Sequence, residues 1–262
     1  MASVRERSVL QLWSDVIFAL LIRHLKSKFD DKIGVSWLII QPLAFVLILS
    51  FLRGRTDGEH VHGLPPFVFI LLGMASVFQL LQGWSAVSSA ISKDKPLYAF
   101  RQVQPIASII TAVLVELISF ILFMIILYFI AIIFNLMDGI DDPLGIIFYL
   151  IEIQFIGYCL GLLFAVFRLF VVEAVKLESL IQRPLLFISG TFFSLNDVPQ
   201  SSWVYFTWNP LVHGVELARH SAETNFPLVD AVSPIYFHGF VLFLFFFSIA
   251  SYSVYWKKGI AR

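Results

Sequence analysis

The run IASIITAVLVELISFILFMIILYFIAIIF, Ile106 to Phe134, holds a single charged residue, Glu116. A helix rises about 1.5 Å per residue, so this stretch outreaches the roughly 30 Å hydrocarbon core of a bilayer. A soluble helix of that length carries a polar face, and this one has none. The chain is therefore read as an all-α integral membrane protein. The whole composition agrees: 59% of residues are hydrophobic and 14% charged, with a mean hydropathy of +0.86. Soluble domains sit near about 45–50% and about 25%.

Five further stretches follow from the same criterion. Ser36 to Leu52 is uncharged, and Pro66 to about Ile91 has only Gln79 and Gln82 as long polar side chains. Ile146 to Phe167 is broken once by Glu152, and Ile235 to Trp256 is uncharged. About Leu177 to Ser194 is the weakest, with Gln182, Arg183 and Pro184 near its start. Six spans are expected. Residues 9–29 are different. Val9, Leu12, Trp13, Val16, Leu20 and Leu21 recur at helical spacing while Asp15 and Arg23 bound an apolar run too short to cross. That predicts an amphipathic helix lying in the membrane interface. Arg23, Lys26 and Lys28 follow where a signal peptide would carry small residues, so no cleaved leader is expected.

Basic residues sort by side. Arg5, Arg7, Arg23, Lys26, Lys28 and Lys32 precede the first span. Lys93, Lys95 and Arg101 follow the second, Arg168, Lys176 and Arg183 flank the fourth and fifth, and Lys257, Lys258 and Arg262 end the chain. Only Arg53, Arg55 and Arg219 fall on the opposite side. Positive charge marks the cytoplasmic face, so both termini are expected inside and loops near 53–65, 135–145 and 195–234 outside. The last is the longest connection, and its segment 198–217 reads as two amphipathic pieces broken at Asn209-Pro210. An aromatic hairpin dipping into the outer membrane face is expected there, because proline interrupts helical hydrogen bonding. One unit is expected: residues 1–34 as interface helix, 36–256 as membrane domain, 195–234 as the re-entrant region.

Much chemistry is excluded. Lys+Arg and Asp+Glu both number 18, which leaves no basic excess for nucleic acid. Cys159 is the only cysteine, so no internal disulfide forms. No G-x-x-x-x-G-K-[ST] loop is present to cradle a nucleotide phosphate, and no H-E-x-x-H to hold zinc. His60 and His62 are read as a solvated loop pair rather than a metal site. Glu116 and Glu152 are the intramembrane carboxylates, and such groups mark a pathway, an acid–base site or an interhelical bond.

Three stretches carry a resemblance. They are FDDKIGVSWLIIQPL (Phe29 to Leu43), PFVFILLGM with ISKDKPLYAFRQVQPI (Pro66 to Met74, Ile91 to Ile106), and RPLLFISGTFFSLNDVP through WNPLVHGVELAR (Arg183 to Arg219). In these the chain resembles the membrane subunit of ABC-2-type polysaccharide exporters, closest to the capsular polysaccharide export permeases of Gram-negative bacteria. Gln41 departs from it, standing where the family often has glutamate. The resemblance implies a bacterial inner-membrane permease acting as a homodimer with two separate ATPase subunits. ATP and Mg would then bind the partner, with no cofactor on this chain. It also implies a lipid-linked polysaccharide as cargo and periplasmic export components beyond. O-antigen and teichoic acid are alternative cargoes, and a membrane enzyme or channel using Glu116 is the alternative class.

On that reading Ser88 to Tyr98 is the coupling segment, with Ser88, Ile91, Lys93, Asp94, Lys95, Leu97 and Tyr98 facing the ATPase. Residues 169–182 make a second contact, and Trp13, Lys28 and Phe29 brace the ATPase from the N-terminal helix. A glycan slides best past aromatic faces, so Phe192, Phe193, Trp203, Tyr205, Phe206 and Trp208 are conduit candidates. Glu116 joins them as a pathway group, and His213 and Arg219 as groups that would steer an acidic chain.

Overall fold

A computed structural model describes residues 8–30, 32–137 and 139–260, without the side chains of residues 9–10, 32–39 and 259–260. Arg5, Arg7 and Arg262 lie outside the described residues, as does the Lys32 side chain. Among the described residues the α-helices are α1 (Val9–Phe29), α2 (Lys32–Asp57), α3 (Pro66–Lys93), α4 (Pro105–Ile133), α5 (Pro143–Arg168), α6 (Ala174–Ile188), α7 (Pro210–Ala222) and α8 (Pro234–Ile260). Among the described residues there is no strand beyond an isolated Val61–Leu64 bridge.

Proline opens five of these helices, at Pro66, Pro105, Pro143, Pro210 and Pro234. Its fixed φ suits the first helical position, where the missing N–H has no intrahelical partner to lose. Side chains cap several starts. Asp142 accepts from the Gly145 N–H at 2.9 Å, Asn209 from Leu211 at 3.1 Å and Ser233 from Tyr236 at 3.2 Å. Ser8 and Gln11 form a reciprocal capping box at the head of α1.

Four helices among the described residues are long and apolar enough to cross a membrane: α3, α4, α5 and α8. They carry the second, third, fourth and sixth expected spans. The first lies within α2, a 26-residue helix whose last turns hold Arg53, Arg55 and Asp57. The expected fifth span, Leu177 to Ser194, differs. Helix α6 stops at Ile188 after 15 residues, about 22 Å of helix. Gly190 then turns the chain with a φ of +72°, and the following backbone is engaged elsewhere, as shown below.

Helix α3 is the central post, packed on by α5, α4 and α2, while α5 also supports α7 and α8. α3 and α5 meet through glycine. A Cβ on Gly157 would stand 2.6 Å from the Leu80 carbonyl oxygen, and one on Gly161 2.9 Å from that of Trp84. This G-x-x-x-G pair lets two backbones approach closely, which is how helices gain packing in lipid. Gln154 donates from Nε2 to the Ser76 carbonyl at 2.9 Å across the same seam. α8 is peripheral and exposes Leu242, Phe243, Phe246 and Phe247, an apolar face suited to lipid.

The apolar stripe expected to lie in the membrane interface faces the bundle instead: Leu20 is buried, Leu12, Trp13, Val16 and Leu21 are half-buried, and α1 packs on α4. Phe18 and Ile22 on its other side are exposed.

Gly157→Ala forces a methyl into the Leu80 backbone and is expected to lower stability by about 1–3 kcal/mol. Gly239→Ala, which meets open space in α8, leaves it unchanged; thermal unfolding of the purified protein in detergent compares the two.

Candidate functional site

Polar side chains gather at the two ends of the bundle. At one end, Asp94 closes α3 and is fully buried. His24 of α1 reaches its Oδ1 at 3.0 Å, and the Arg23 guanidinium lies 3.7 Å away. Burial pushes the Asp94 carboxyl up, but His24, Ser108 and Arg23 outweigh it and hold the group below its ordinary value. Lower on the same helix, Lys28 Nζ donates to Glu116 of α4 at 2.7 Å. The two contacts pin α1 to α3 and α4.

A second cluster joins α3, α5 and α6. Glu178 of α6 is buried and accepts from Ser88 Oγ at 2.8 Å and from Arg168 Nη2 at 2.6 Å. Gln182, one turn on, donates to Ser85 Oγ at 3.0 Å. Ala174, Glu178 and Gln182 form a single stripe by which α6 touches its own bundle, and Val175, Leu177, Leu180 and Ile181 stay exposed.

At the opposite end, Arg219 of α7 is wholly buried. Its Nη1 donates to the Phe193 carbonyl at 2.9 Å and to Glu216 at 3.1 Å. Nε and Nη2 both reach the Phe69 carbonyl, at 3.3 and 3.2 Å, and Nη2 reaches Thr191 at 3.4 Å. The guanidinium also sits 3.7 Å over the Phe69 ring. Glu216, equally buried, accepts from Ser194 Oγ at 2.9 Å. The backbone after α6 is thus bound to α7 instead of continuing as helix. Gly73 makes room for it, since a Cβ there would lie 2.4 Å from the Thr191 oxygen and 2.6 Å from Arg219 Nη2.

Nearby, Asp197 gathers Arg53 at 2.6 Å, His62 at 2.8 Å and the Ser194 N–H at 2.8 Å. Partial burial pushes its carboxyl up, but these three groups hold it below the ordinary 3.8. The Asp141 carboxylate accepts from the Thr224 N–H at 2.7 Å. These contacts bring the expected outer loops 53–65, 135–145 and 195–234 together at one end, while the Asp94 and Glu178 clusters occupy the other.

The expected site residues divide. Of the coupling set, Lys93 and Lys95 are exposed, and Phe29 is partly so. Ser88, Ile91 and Asp94 are buried, and Trp13, Lys28, Leu97 and Tyr98 are half-buried. Tyr98 donates to Ser108 Oγ at 3.1 Å. Ser88 to Lys93 are the last turns of α3, and a 3-10 turn, Lys95–Ala99, follows after Asp94. Pro96, which lacks an N–H, favours that short turn over a continued helix. Phe100, 65% exposed, adds an uncovered apolar group beside it.

Of the conduit set, Tyr205 and Trp208 are exposed, with Trp208 Nε1 donating to the Tyr205 carbonyl at 2.8 Å. Trp203 is half-buried and spends its N–H on Leu195 and Val198 carbonyls. Phe193 and Phe206 stack edge-on at 5.0 Å, and Phe192 lies against Phe187 at 5.6 Å. His213 is buried. Its Nδ1 accepts from the Ser233 N–H at 3.0 Å, so Nε2 is the donor to the Thr207 carbonyl at 2.7 Å. That fixes a neutral ring with both nitrogens occupied. His213 and Arg219 thus face the core, and Glu116 is ion-paired. Glu152 meets His238 at 2.9 Å. No group of three or more metal-ligating side chains occurs among the described residues.

Sequence reading did not single out Glu178, Glu216 or Asp197. Glu216 and Arg219 carried a signal in their i,i+3 spacing. Glu178 and Asp197 carried none for the elements they join, since Ser88, Arg53 and His62 lie far along the chain.

Comparison with known proteins places residues 15–222 in a match to the ABC-2 type transporter family. The polysialic acid transport protein KpsM of Escherichia coli is 28% identical over 247 residues, 94% of this chain and 95% of that protein. The capsule polysaccharide export inner-membrane protein BexB of Haemophilus influenzae is 28% identical over 214 residues, 78% of each. The corresponding protein CtrC of Neisseria meningitidis serogroup A is 26% identical over 213 residues, 78% of this chain and 77% of that one.

Removing Arg219 as Ala strands the buried Glu216 and is expected to cost about 3–5 kcal/mol, whereas Arg219→Met with Glu216→Leu recovers much of it. Chemical unfolding of the purified protein ranks the three. Acid acts on Asp197: its carboxyl is held low in the fold, so its contribution is present above the ordinary carboxylate range and fades as pH falls through the depressed value. Asp197→Asn is expected to remove that acid limb from a plot of melting temperature against pH.

Proposed function

The chain belongs to the ABC-2 type transporter family, and from that membership we propose that it is the inner-membrane permease of a capsular polysaccharide exporter. The observation that carries the cargo class is the similarity to KpsM, which runs almost end to end on both chains. BexB and CtrC, each named for capsule polysaccharide export, support the same cargo over O-antigen or teichoic acid.

In the working assembly two copies of this chain form the conduit and two ATPase subunits dock from the cytoplasm. Six spans cross the bilayer, α1 lies at the cytoplasmic interface, and both termini are inside. The positive-inside distribution supports that orientation, and so does the gathering of the sparsely basic loops at one end. The short helix α6 would complete the fifth crossing together with the turn that follows it, the irregular backbone being covered by α3 and α7 as membrane interiors require. The loop 195–209 with α7 forms the re-entrant cap at the exit, and Tyr205 and Trp208 offer the polymer exposed aromatic faces there.

Transmission of the ATPase stroke falls to the surface around Lys93, Lys95 and Phe100. Two clusters carry the motion inward from it. Asp94 ties that surface to α1 through His24, and Ser88 ties it to α6 through Glu178. Glu116 is held by Lys28, which favours a structural carboxylate over an acid–base centre.

Two measurements test this. Affinity purification of the tagged chain from its native host is expected to bring down an ATPase with a phosphate-binding loop; a clean oligomer without one, crosslinked or not, overturns the exporter reading. Lys93→Ala with Lys95→Ala is expected to keep normal protein levels and melting temperature while cell-surface polysaccharide falls. Asp94→Ala is expected to lower both, because it leaves His24 and Arg23 unpaired beside a buried site.

A further inference from the structure

Two connected cavities open between α1, α3 and α4 at the end of the bundle that holds Asp94. The outer one, about 670 Å³, is lined by Arg23, His24, Lys28, Lys93, Asp94 and Glu116 with several serines. The inner one, about 220 Å³, is walled by Phe29, Phe78, Leu122, Phe123 and Ile126. Lys28, Gln82 and Glu116 line both, so polar and apolar chambers share one neck.

The neck carries unused hydrogen-bonding capacity. Gln79 is nine-tenths buried, lines the inner chamber and makes no side-chain hydrogen bond among the described residues. Gln82 beside it, half-buried, makes none among the described residues either. Both amides line the chamber beside apolar walls, where they can bond a ligand with ester or hydroxyl oxygens. At the mouth, Lys93 is exposed and unpaired among the described residues, and Arg23 is half-exposed with its carboxylate contact stretched to 3.7 Å. Three cations against two carboxylates leave a positive excess.

The dimensions fit one molecule. From Lys93 to Gln79, α3 advances about 21 Å. One leaflet of hydrocarbon is about 15 Å deep, so the groove accommodates a headgroup followed by an acyl chain. Basic pockets between membrane helices at the cytoplasmic side favour anionic headgroups.

We propose that this groove is a resident-lipid site. It takes one anionic glycerophospholipid of the bilayer, the phosphate at Arg23 and Lys93, the glycerol esters at Gln79 and Gln82, and an acyl chain between Phe78, Leu122 and Ile126. The lipid would fill the seam under α1 and brace that helix on α4. The inference rests on the membrane placement of the fold and is independent of which polymer is carried.

The test uses the full-length protein extracted in mild detergent from two host strains, one making the polysaccharide and one unable to begin its synthesis. Native mass spectrometry is expected to find one phospholipid retained per chain in both. Arg23→Ala with Lys93→Ala is expected to weaken retention by about thirtyfold, equivalent to about 2 kcal/mol. In vesicles of phosphatidylethanolamine containing diazirine-labelled phosphatidylglycerol, label is expected to concentrate on peptides spanning 78–82 and 119–126. The site assignment fails if label spreads evenly onto the lipid face of α8 or no lipid is retained. Retention confined to the polysaccharide-making strain also overturns it, by assigning the groove to the cargo's own anchor. Absence of the ATPase from the purified complex would count against the exporter reading while leaving this one intact.

Discussion

A guanidinium buried away from water must have its donors met, and Arg219 meets that demand with backbone. It draws the carbonyls of Phe69, Thr191 and Phe193 to one point. The start of α3, the turn after α6 and the body of α7 are thereby held in one geometry. Glu216 balances the charge and reaches Ser194, which adds a fourth anchor on the same turn. Removing water from such a pair is costly, and only complete hydrogen bonding offsets it. Gly73 is the steric counterpart, a place on α3 where the Thr191 oxygen and the guanidinium both approach.

That junction explains why the chain behaves differently at its two ends. At the Arg219 end, loops from four regions are laced together by short bonds and aromatic packing, including Phe69 with Phe226 and His62. At the Asp94 end, an apolar cluster including Val87, Ile91, Ile109 and Leu162 joins α3, α4 and α5, and polar contacts tie α1 and α6 to it: His24 to Asp94, Lys28 to Glu116, and Glu178 to Ser88 and Arg168. Helix α6 bridges both ends while touching its own bundle along one narrow stripe. A rod fixed at a dense junction and held toward its far end by Glu178 and Gln182 can transmit a push. The surface of α6 that its own chain leaves uncovered suits the second copy in the assembly proposed above.

Much of this was legible from local pattern. Pro at positions 66, 105, 143, 210 and 234 marks helix starts because its restrictions cost nothing there. The Asn209-Pro210 break fell where it was expected, since the Asn side chain caps and the proline opens α7. The apolar stripe of α1 followed from its spacing, and its packing on α4 did not. The length of α6 was not legible. Ser189-Gly190-Thr191 interrupts its apolar run, but it is the left-handed Gly190 together with the hold of Arg219 and Glu216 on residues 191–194 that ends the helix. The partners that tie Glu116, Glu178 and Asp197 to other elements were hidden for a similar reason, because Lys28, Ser88, and Arg53 with His62 each lie tens of residues away.

The amino-acid sequence by itself determined the solvent of this protein and the positions of its helices. Apolar length and charge asymmetry act over a single segment and need no partner to be read. Tertiary structure alone decided which charges became structural and which stayed available. Arg219, His213 and Asp94 are polar residues that the sequence leaves free to meet a glycan or an ATPase. Burial turned all three inward, because in a lipid-embedded bundle an ionisable or hydrogen-bonding side chain goes wherever its bonds can be completed, and that place is set by packing between distant segments.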